Sequence, residues 1–429
     1  MVRCTARPLV SRSIALALDL ILREMRLPHS AASDPLVDIG VQDGRIAAIA
    51  PNLQSEARET VQGKGRLVCA GFVETHIHLD KSCLFNRCDC KTTRFPHLAM
   101  ERVSAIKPDI TVEDVTQRAS RTLEMCVLHG CTRMRTHVEV DPRIGLRFFE
   151  GVKALIDSYA WAIDVEICVM PQEGLTNNPG TDELMVAALR NGAKVVGAAP
   201  NYDSDRAAQI RRVFEMAREF DVDIDMHLDS GTSGSDLDTR LVCDLTEQFS
   251  WGGRVAIGHV TKLSTMPPAE VDAVARRMAD AGVALTVLPA TDLYLGGRHK
   301  DADVPRSVVD ANRLVAAGVV CSLSSNNIQN PFTPFGDGQL IRQANLYANI
   351  IQRGNDADVR AMWGMITDDS ARILRQQDYG IAVGAPADLV VVDAPDEVAA
   401  LRGIAPVLAA FKRGRRTVTR QPAELHRPA

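Results

Sequence analysis

The feature that most restricts this chain is a set of eight apolar runs through its middle, spaced by amphipathic stretches. The runs cover residues 67–75, 132–138, 162–169, 193–198, 222–227, 255–259, 284–288 and 319–323. Segments with helical periodicity lie between most of them, at 111–129, 145–159, 181–191, 205–220, 236–249, 268–281 and 306–317. A strand apolar on both faces must be covered on both, the mark of a parallel sheet wrapped by helices. Eight strand–helix repeats predict a (β/α)8 barrel.

The two ends read differently. Short strand patterns occur at 18–22, 37–41 and 45–49, the last two joined by Gln42-Asp43-Gly44, a hairpin signal. Similar β patterns return at 387–393 and 406–414, while 1–12 and 28–35 read as a tail and a loop. Strand-rich ends around an α/β middle predict a small β-sandwich domain built from both termini. Its expected extent is residues 1–66 plus 380–429, with the barrel spanning 67–379.

With 429 residues, of which 46% are hydrophobic, the chain has enough apolar surface for both units. A net charge of −5 gives no general attraction to nucleic acid or anionic lipid, and 4% aromatic residues provide no stacking platform for single strands. The ten cysteines are scattered without a CxxC, and some sit in apolar runs such as Glu166-Ile167-Cys168-Val169. That pattern predicts buried thiols in a reducing compartment, the cytoplasm. Residues 14–22 are apolar but few, contain Asp19 and lead into no cleavage pattern, so neither a signal peptide nor a membrane span is expected.

Barrel enzymes place their chemistry at the C-terminal ends of the strands. Here five of ten histidines fall there: His76 and His78 on the first strand, His137 on the second, His227 on the fifth and His259 on the sixth. In Gly71-Phe72-Val73-Glu74-Thr75-His76-Ile77-His78-Leu79-Asp80 the two imidazoles are two residues apart. On an extended chain they share a face, which makes half of a metal site. Met170-Pro171-Gln172-Glu173-Gly174 follows the third strand and Ser324-Ser325-Asn326-Asn327 the eighth.

Together with the closing segment from Tyr379 to Val390, these motifs resemble the amidohydrolase superfamily over nearly the whole chain. The nearest likeness is to the branch holding cytosine deaminases and N-isopropylammelide isopropylaminohydrolase. Its most specific pieces are residues 71–80, Arg135-Thr136-His137-Val138, Pro171-Gln172-Glu173-Gly174, Asn326-Asn327-Ile328 and Pro334-Phe335-Gly336. The resemblance implies one divalent metal ion, zinc or iron, held at positions matching His76, His78, His227 and Asn326. It implies that His259 polarises the group under attack, that Gln172 hydrogen-bonds a heterocyclic substrate and that Phe332 lies beside it. His137 is expected to support the site from behind. The lysine of binuclear relatives is absent from the end of the fourth strand, since Lys194 opens that strand, and this favours a single metal. A homo-oligomer is also implied.

Two positions depart from the pattern. Asn326 stands where the branch has aspartate; an amide oxygen can coordinate a metal but is not a useful base. Ser230 stands where cytosine deaminases carry a proton-transferring glutamate after Asp229. Asp229 is then the nearest carboxylate to assist catalysis or to orient a ligand, with Glu173 and Asp80 as further possibilities. The expected activity is a metal-dependent hydrolase cleaving a C–N bond, by removal of ammonia or an amine from a small pyrimidine- or triazine-like ring. The alternatives are hydrolysis of a cyclic amide or lactam, and a non-catalytic ligand-binding relative, the latter because of Asn326.

Overall fold

The structure, a computed structural model, describes residues 17–88, 96–232 and 236–427. The tail read at 1–12 lies outside these residues, as do Cys4 and Cys90. Three sheets organise the described residues. The first contains β1 (Leu18–Met25), β2 (Val37–Gln42), β3 (Arg45–Ala50) and β4 (Ala57–Gln62). Next in the chain come β5 (Leu67–Ala70) and β6 (Phe72–Ile77). The remaining barrel strands are β7 (Cys131–Glu139), β8 (Asp164–Met170), β9 (Val195–Val196), β10 (Asp223–Leu228), β11 (Val255–His259), β12 (Val283–Val287) and β13 (Cys321–Leu323). The chain closes with β14 (Leu389–Val392), β15 (Val407–Lys412) and β16 (Arg415–Thr419).

All eight expected barrel strands form one sheet, in the order β6 to β13, and every neighbouring pair in it is parallel. Helices Val112–Leu128, Arg147–Tyr159, Thr181–Arg190, Arg206–Phe220, Asp238–Phe249 and Pro268–Ala281 follow successive strands, each within two residues of its expected bounds. The helix expected over 306–317 is only Ala311–Ala316, because Asp310 caps it by accepting from the Arg313 amide. The helices Pro289–Leu295, Leu340–Ile351, Asp356–Gly364 and Asp368–Ile373 lie outside the expected repeats.

The first apolar run, 67–75, divides at Gly71. Leu67–Ala70 pairs antiparallel with β14, while Phe72–Ile77 enters the barrel beside β7. A Cβ at Gly71 would sit 2.1 Å from the Thr132 hydroxyl, so no larger residue fits where the chain changes sheets. The two four-stranded sheets, β3-β2-β1-β4 and β16-β15-β14-β5, share one apolar cluster that includes Leu20, Leu22, Ile39, Val41, Val68, Leu389 and Phe411. This is the small β unit, and strands from both chain ends build it. Strands β4 and β16 escape a hydrophobicity pattern because half or more of their residues remain accessible.

The seam between β6 and β13 closes at its C-terminal end, where the functional residues gather. Thr75 Oγ1 lies 2.8 Å from the Ser322 hydroxyl and 2.6 Å from that of Ser324. The Asn326 amide donates to the His76 carbonyl at 2.9 Å, and the His78 amide donates to the Asn326 carbonyl at 2.9 Å. Buried Glu74 accepts from the backbone amides of Ser325 and His76, and burial raises its carboxyl to about 7 against those bonds. Backbone hydrogen bonds thus lock the first and last strand ends together at the histidines.

Candidate active site

Alternation along β6 turns His76 and His78 to one side, and β10 presents His227 opposite them. His227 Nε2 lies 3.0 Å from His76 Nε2 and 3.1 Å from His78 Nε2. Ligand nitrogens about 3.3 Å apart are what a tetrahedral ion with bonds of roughly 2.0–2.1 Å requires. His76 and His78 are buried and His227 is partly so, and the Nδ1 of each is buried without a hydrogen-bond partner. Burial first, then charge repulsion, lowers their basicity: His76 titrates near 3, and His78 and His227 fall well below the ordinary range. Three neutral imidazoles converging on one point have no good arrangement of N–H hydrogens among themselves. Such a donor set fits a divalent transition-metal ion.

His137 lies behind this trio. Its ring stacks on His76 with centroids 3.8 Å apart, and its Nε2 is 3.4 Å from Asp225 Oδ1. Asp225 Oδ1 is also 3.8 Å from His76 Nδ1, and Arg135 reaches its other oxygen at 3.1 Å. Burial opposes ionisation of Asp225, but His137, His76 and Arg135 together hold it well below the usual carboxylate range. This anionic support behind the trio is the arrangement that orients metal-binding imidazoles.

His259 ends β11 with φ +72°, a left-handed turn that aims its ring across the cavity. Its Nδ1 is 2.5 Å from Asp292 Oδ1, and Asp292 Oδ2 accepts from the Leu288 amide at 3.3 Å. Both residues line a cavity of about 390 Å³ with His78, His227, Gln172, Asn326 and Phe332. No motif in the sequence singles out Asp292. Its available signal was a carboxylate in Pro289-Ala290-Thr291-Asp292, directly after the seventh barrel strand.

Gln172 is held from one side. Its Oε1 accepts from Lys81 Nζ at 3.1 Å, and Lys81 also donates to Glu139 Oε2 at 3.1 Å. Glu139 in turn meets Lys107 at 2.5 Å, and Lys107 reaches Asp141 at 2.7 Å and Glu173 at 2.5 Å. Burial works against ionised Glu139, yet Lys107 and Lys81 outweigh it and hold the carboxyl at about 2. Lys107 is raised above the usual lysine range despite burial, by Glu139, Asp141 and Glu173. Glu173 is therefore engaged with an ammonium group.

The other carboxylates named from the sequence are also engaged. Asp229 accepts from the amides of Asp238 and Thr239 and from the Thr239 hydroxyl, capping the helix after β10. Asp80 accepts from the amides of Lys81 and Glu139. Neither lines the cavity, whereas Ser230 does. Lys194 is exposed just ahead of β9, away from the trio.

A barrel with three strand-end histidines converging beside a histidine–carboxylate pair defines a metal-dependent hydrolase. The chain belongs to the amidohydrolase family, whose model matches residues 92–407, and these enzymes hydrolyse carbon–nitrogen bonds. It is 28% identical over 408 residues to the N-isopropylammelide isopropyl amidohydrolase of Pseudomonas sp. strain ADP, covering 92% of this chain and 96% of that one. The 5-methylcytosine deaminase of Klebsiella pneumoniae, solved with 5-fluorocytosine, superposes with a TM-score of 0.90 at 28% identity, covering 95% and 99% of the two chains. The N-isopropylammelide isopropylaminohydrolase of Burkholderia multivorans gives a TM-score of 0.81 at 26% identity, covering 92% and 97%. Among the described residues, no helix is long and apolar enough to cross a membrane.

Proposed function

We propose that this enzyme removes ammonia or an amine from a ring carbon of a small pyrimidine- or triazine-like heterocycle. The observation that carries the reading is the convergence of three neutral imidazoles, two of which, His78 and His227, line one cavity of about 390 Å³ with the His259–Asp292 pair. The names of the relatives support the substrate class, since they concern a substituted triazine and a pyrimidine. One divalent ion, zinc or iron, held by His76, His78 and His227 with Asn326 beside them, would lower the pKa of water toward neutrality.

The remaining roles fall to side chains. Asp292 holds His259 Nδ1–H, leaving His259 Nε2 to steady charge on the attacked group and pass a proton to the departing nitrogen. Lys81 occupies Gln172 Oε1, so Gln172 offers Nε2–H to an acceptor on the ring edge. Phe332 packs beside the ring. Asp229 acts at one remove, by fixing the loop that carries Ser230. Seven described cysteines, Cys69, Cys83, Cys126, Cys131, Cys168, Cys243 and Cys321, are free, which supports a reducing cytoplasm. A homo-oligomer rests on the resemblance alone.

The test is a screen of purified protein loaded with zinc or iron(II) against amino- and alkylamino-pyrimidines, triazines and pterins, reading release of ammonia or amine. Turnover of one such ring supports the proposal. Turnover of cyclic amides alone, or of nothing, refutes it.

A further inference from the structure

Three asparagines beside the trio form a chain whose hydrogen-bond direction is set from one end. The backbone amides of Phe332 and Thr333 both point at one side-chain atom of Asn330, at 2.9 and 3.1 Å. A backbone N–H only donates, so that atom is the oxygen. The other atom, Asn330 Nδ2, must then donate, and it meets the Lys81 carbonyl at 3.2 Å, an acceptor that agrees with the assignment. It also meets Asn327 Oδ1 at 2.7 Å. Asn327 therefore turns its Nδ2 toward Asn326, whose Oδ1 it reaches at 3.0 Å. Side-chain amide orientation is an inference from the network, and here fixed donors and a fixed acceptor at Asn330 agree on it.

The consequence falls on Asn326. Its oxygen accepts from Asn327, which fixes it on that side, while its Nδ2 is buried without any partner in a residue that is 1% exposed. Asn326 lines the cavity with His78, His227 and His259, and its backbone is locked to β6 in a left-handed conformation at φ +57°. A buried amide hydrogen left unmade is costly, so a ligand oxygen at this point is rewarded.

We propose that Asn326 meets the occupant of the three-histidine site as a hydrogen-bond donor through Nδ2–H, not as a metal ligand through Oδ1. Asn327 and Asn330 are the positioning residues that set this polarity. The inference rests on the metal-dependent reading of the site and goes beyond it. The chain then contributes three nitrogens to the ion, and the group it accepts beside them carries an acceptor oxygen. An amide neither gains nor loses a proton near neutrality, so proton traffic belongs to His259 and Asp292.

The test uses the full-length protein with cobalt(II) in place of its native ion, reading metal stoichiometry, metal affinity and the visible spectrum, none of which needs a substrate. Asn326→Ala is expected to retain one equivalent of cobalt, with affinity within about threefold and unmoved bands. Its affinity for acetohydroxamate, an oxygen-bearing probe, should fall about tenfold, the loss of one hydrogen bond. Asn327→Leu frees Asn326 to turn over, and should shift the bands as the oxygen reaches the ion. A loss of metal affinity beyond tenfold, or a shifted spectrum, in folded Asn326→Ala overturns the proposal. So does an unmoved spectrum in Asn327→Leu together with unchanged acetohydroxamate affinity in Asn326→Ala. If the unmodified protein binds no cobalt, both this proposal and the hydrolase reading fail. If it binds cobalt but processes no heterocycle, only the substrate reading fails.

Discussion

Lys107→Met is the perturbation whose outcome follows most directly from the structure. Lys107 has a fully buried side chain and contacts three carboxylates, Glu139 and Glu173 at 2.5 Å and Asp141 at 2.7 Å. The two ammonium groups, Lys107 and Lys81, face three carboxylates, a net of −1 that the exposed Arg143, 3.9 Å from Glu173, screens only at the edge; methionine changes that net to −2 without altering volume much. Removing one partner of a buried ion pair typically costs about 3–5 kcal/mol, because the charge left behind is uncompensated. Chemical denaturation at pH 7.5 should therefore show a loss of at least about 3 kcal/mol.

The pH dependence supplies the sign. In the unmodified protein Glu139 titrates near 2, below its ordinary 4.5. Its contribution is present above pH 4.5 and is lost as pH falls toward 2, where the unfolded chain binds the extra proton. Without Lys107, the raising effect of burial on Glu139 is opposed by Lys81 alone, so its folded pKa climbs and the folded state takes up a proton first. The defect of Lys107→Met should then shrink between pH 7.5 and 5.5. Adding Glu173→Gln, which returns the net to −1, should recover part of the loss. Unchanged stability at pH 7.5, or a defect that grows on acidification, would refute the electrostatic account.

Other outcomes concern the site itself. His227→Ala removes the imidazole that faces both His76 and His78, and should lower metal affinity more than a hundredfold by elemental analysis and competitive chelation. Asp292→Asn should lower kcat by about 10²–10⁴ with little change in metal content, since the His259 tautomer is no longer set; loss of metal with activity would place Asp292 elsewhere. Lys81→Met and Gln172→Leu should both raise KM, because Lys81 decides which end of the Gln172 amide faces the ring; a normal KM in folded Lys81→Met would remove that role.

Much of this site was readable because barrels obey simple rules. Eight apolar runs in alternation with helices place eight strand ends on one rim, and His76, His78, His227 and His259 stand at such ends. Side-chain alternation then puts His76 and His78 on one face without further information. The carboxylates were not readable in this way. Asp229 looked near the trio by spacing, yet the chain turns at φ +47° there and spends its oxygens on a helix cap. Asp292 lay 33 residues from His259 and is joined to it only because β11 and β12 are neighbours.

The amino-acid sequence by itself determined the barrel, its small β companion and the histidines on its rim, because hydrophobic period and strand order are local or nearly local properties. Only the tertiary structure decided which carboxylate serves which histidine and which way the amides of Gln172 and Asn326 point. The carboxylate pairing and the Gln172 direction depend on hydrogen bonds between residues far apart in the chain, such as His259 with Asp292 and Lys81 with Gln172. Asparagine at position 326 is visible in the sequence, but its polarity becomes fixed only when the loop after β13 folds back on itself.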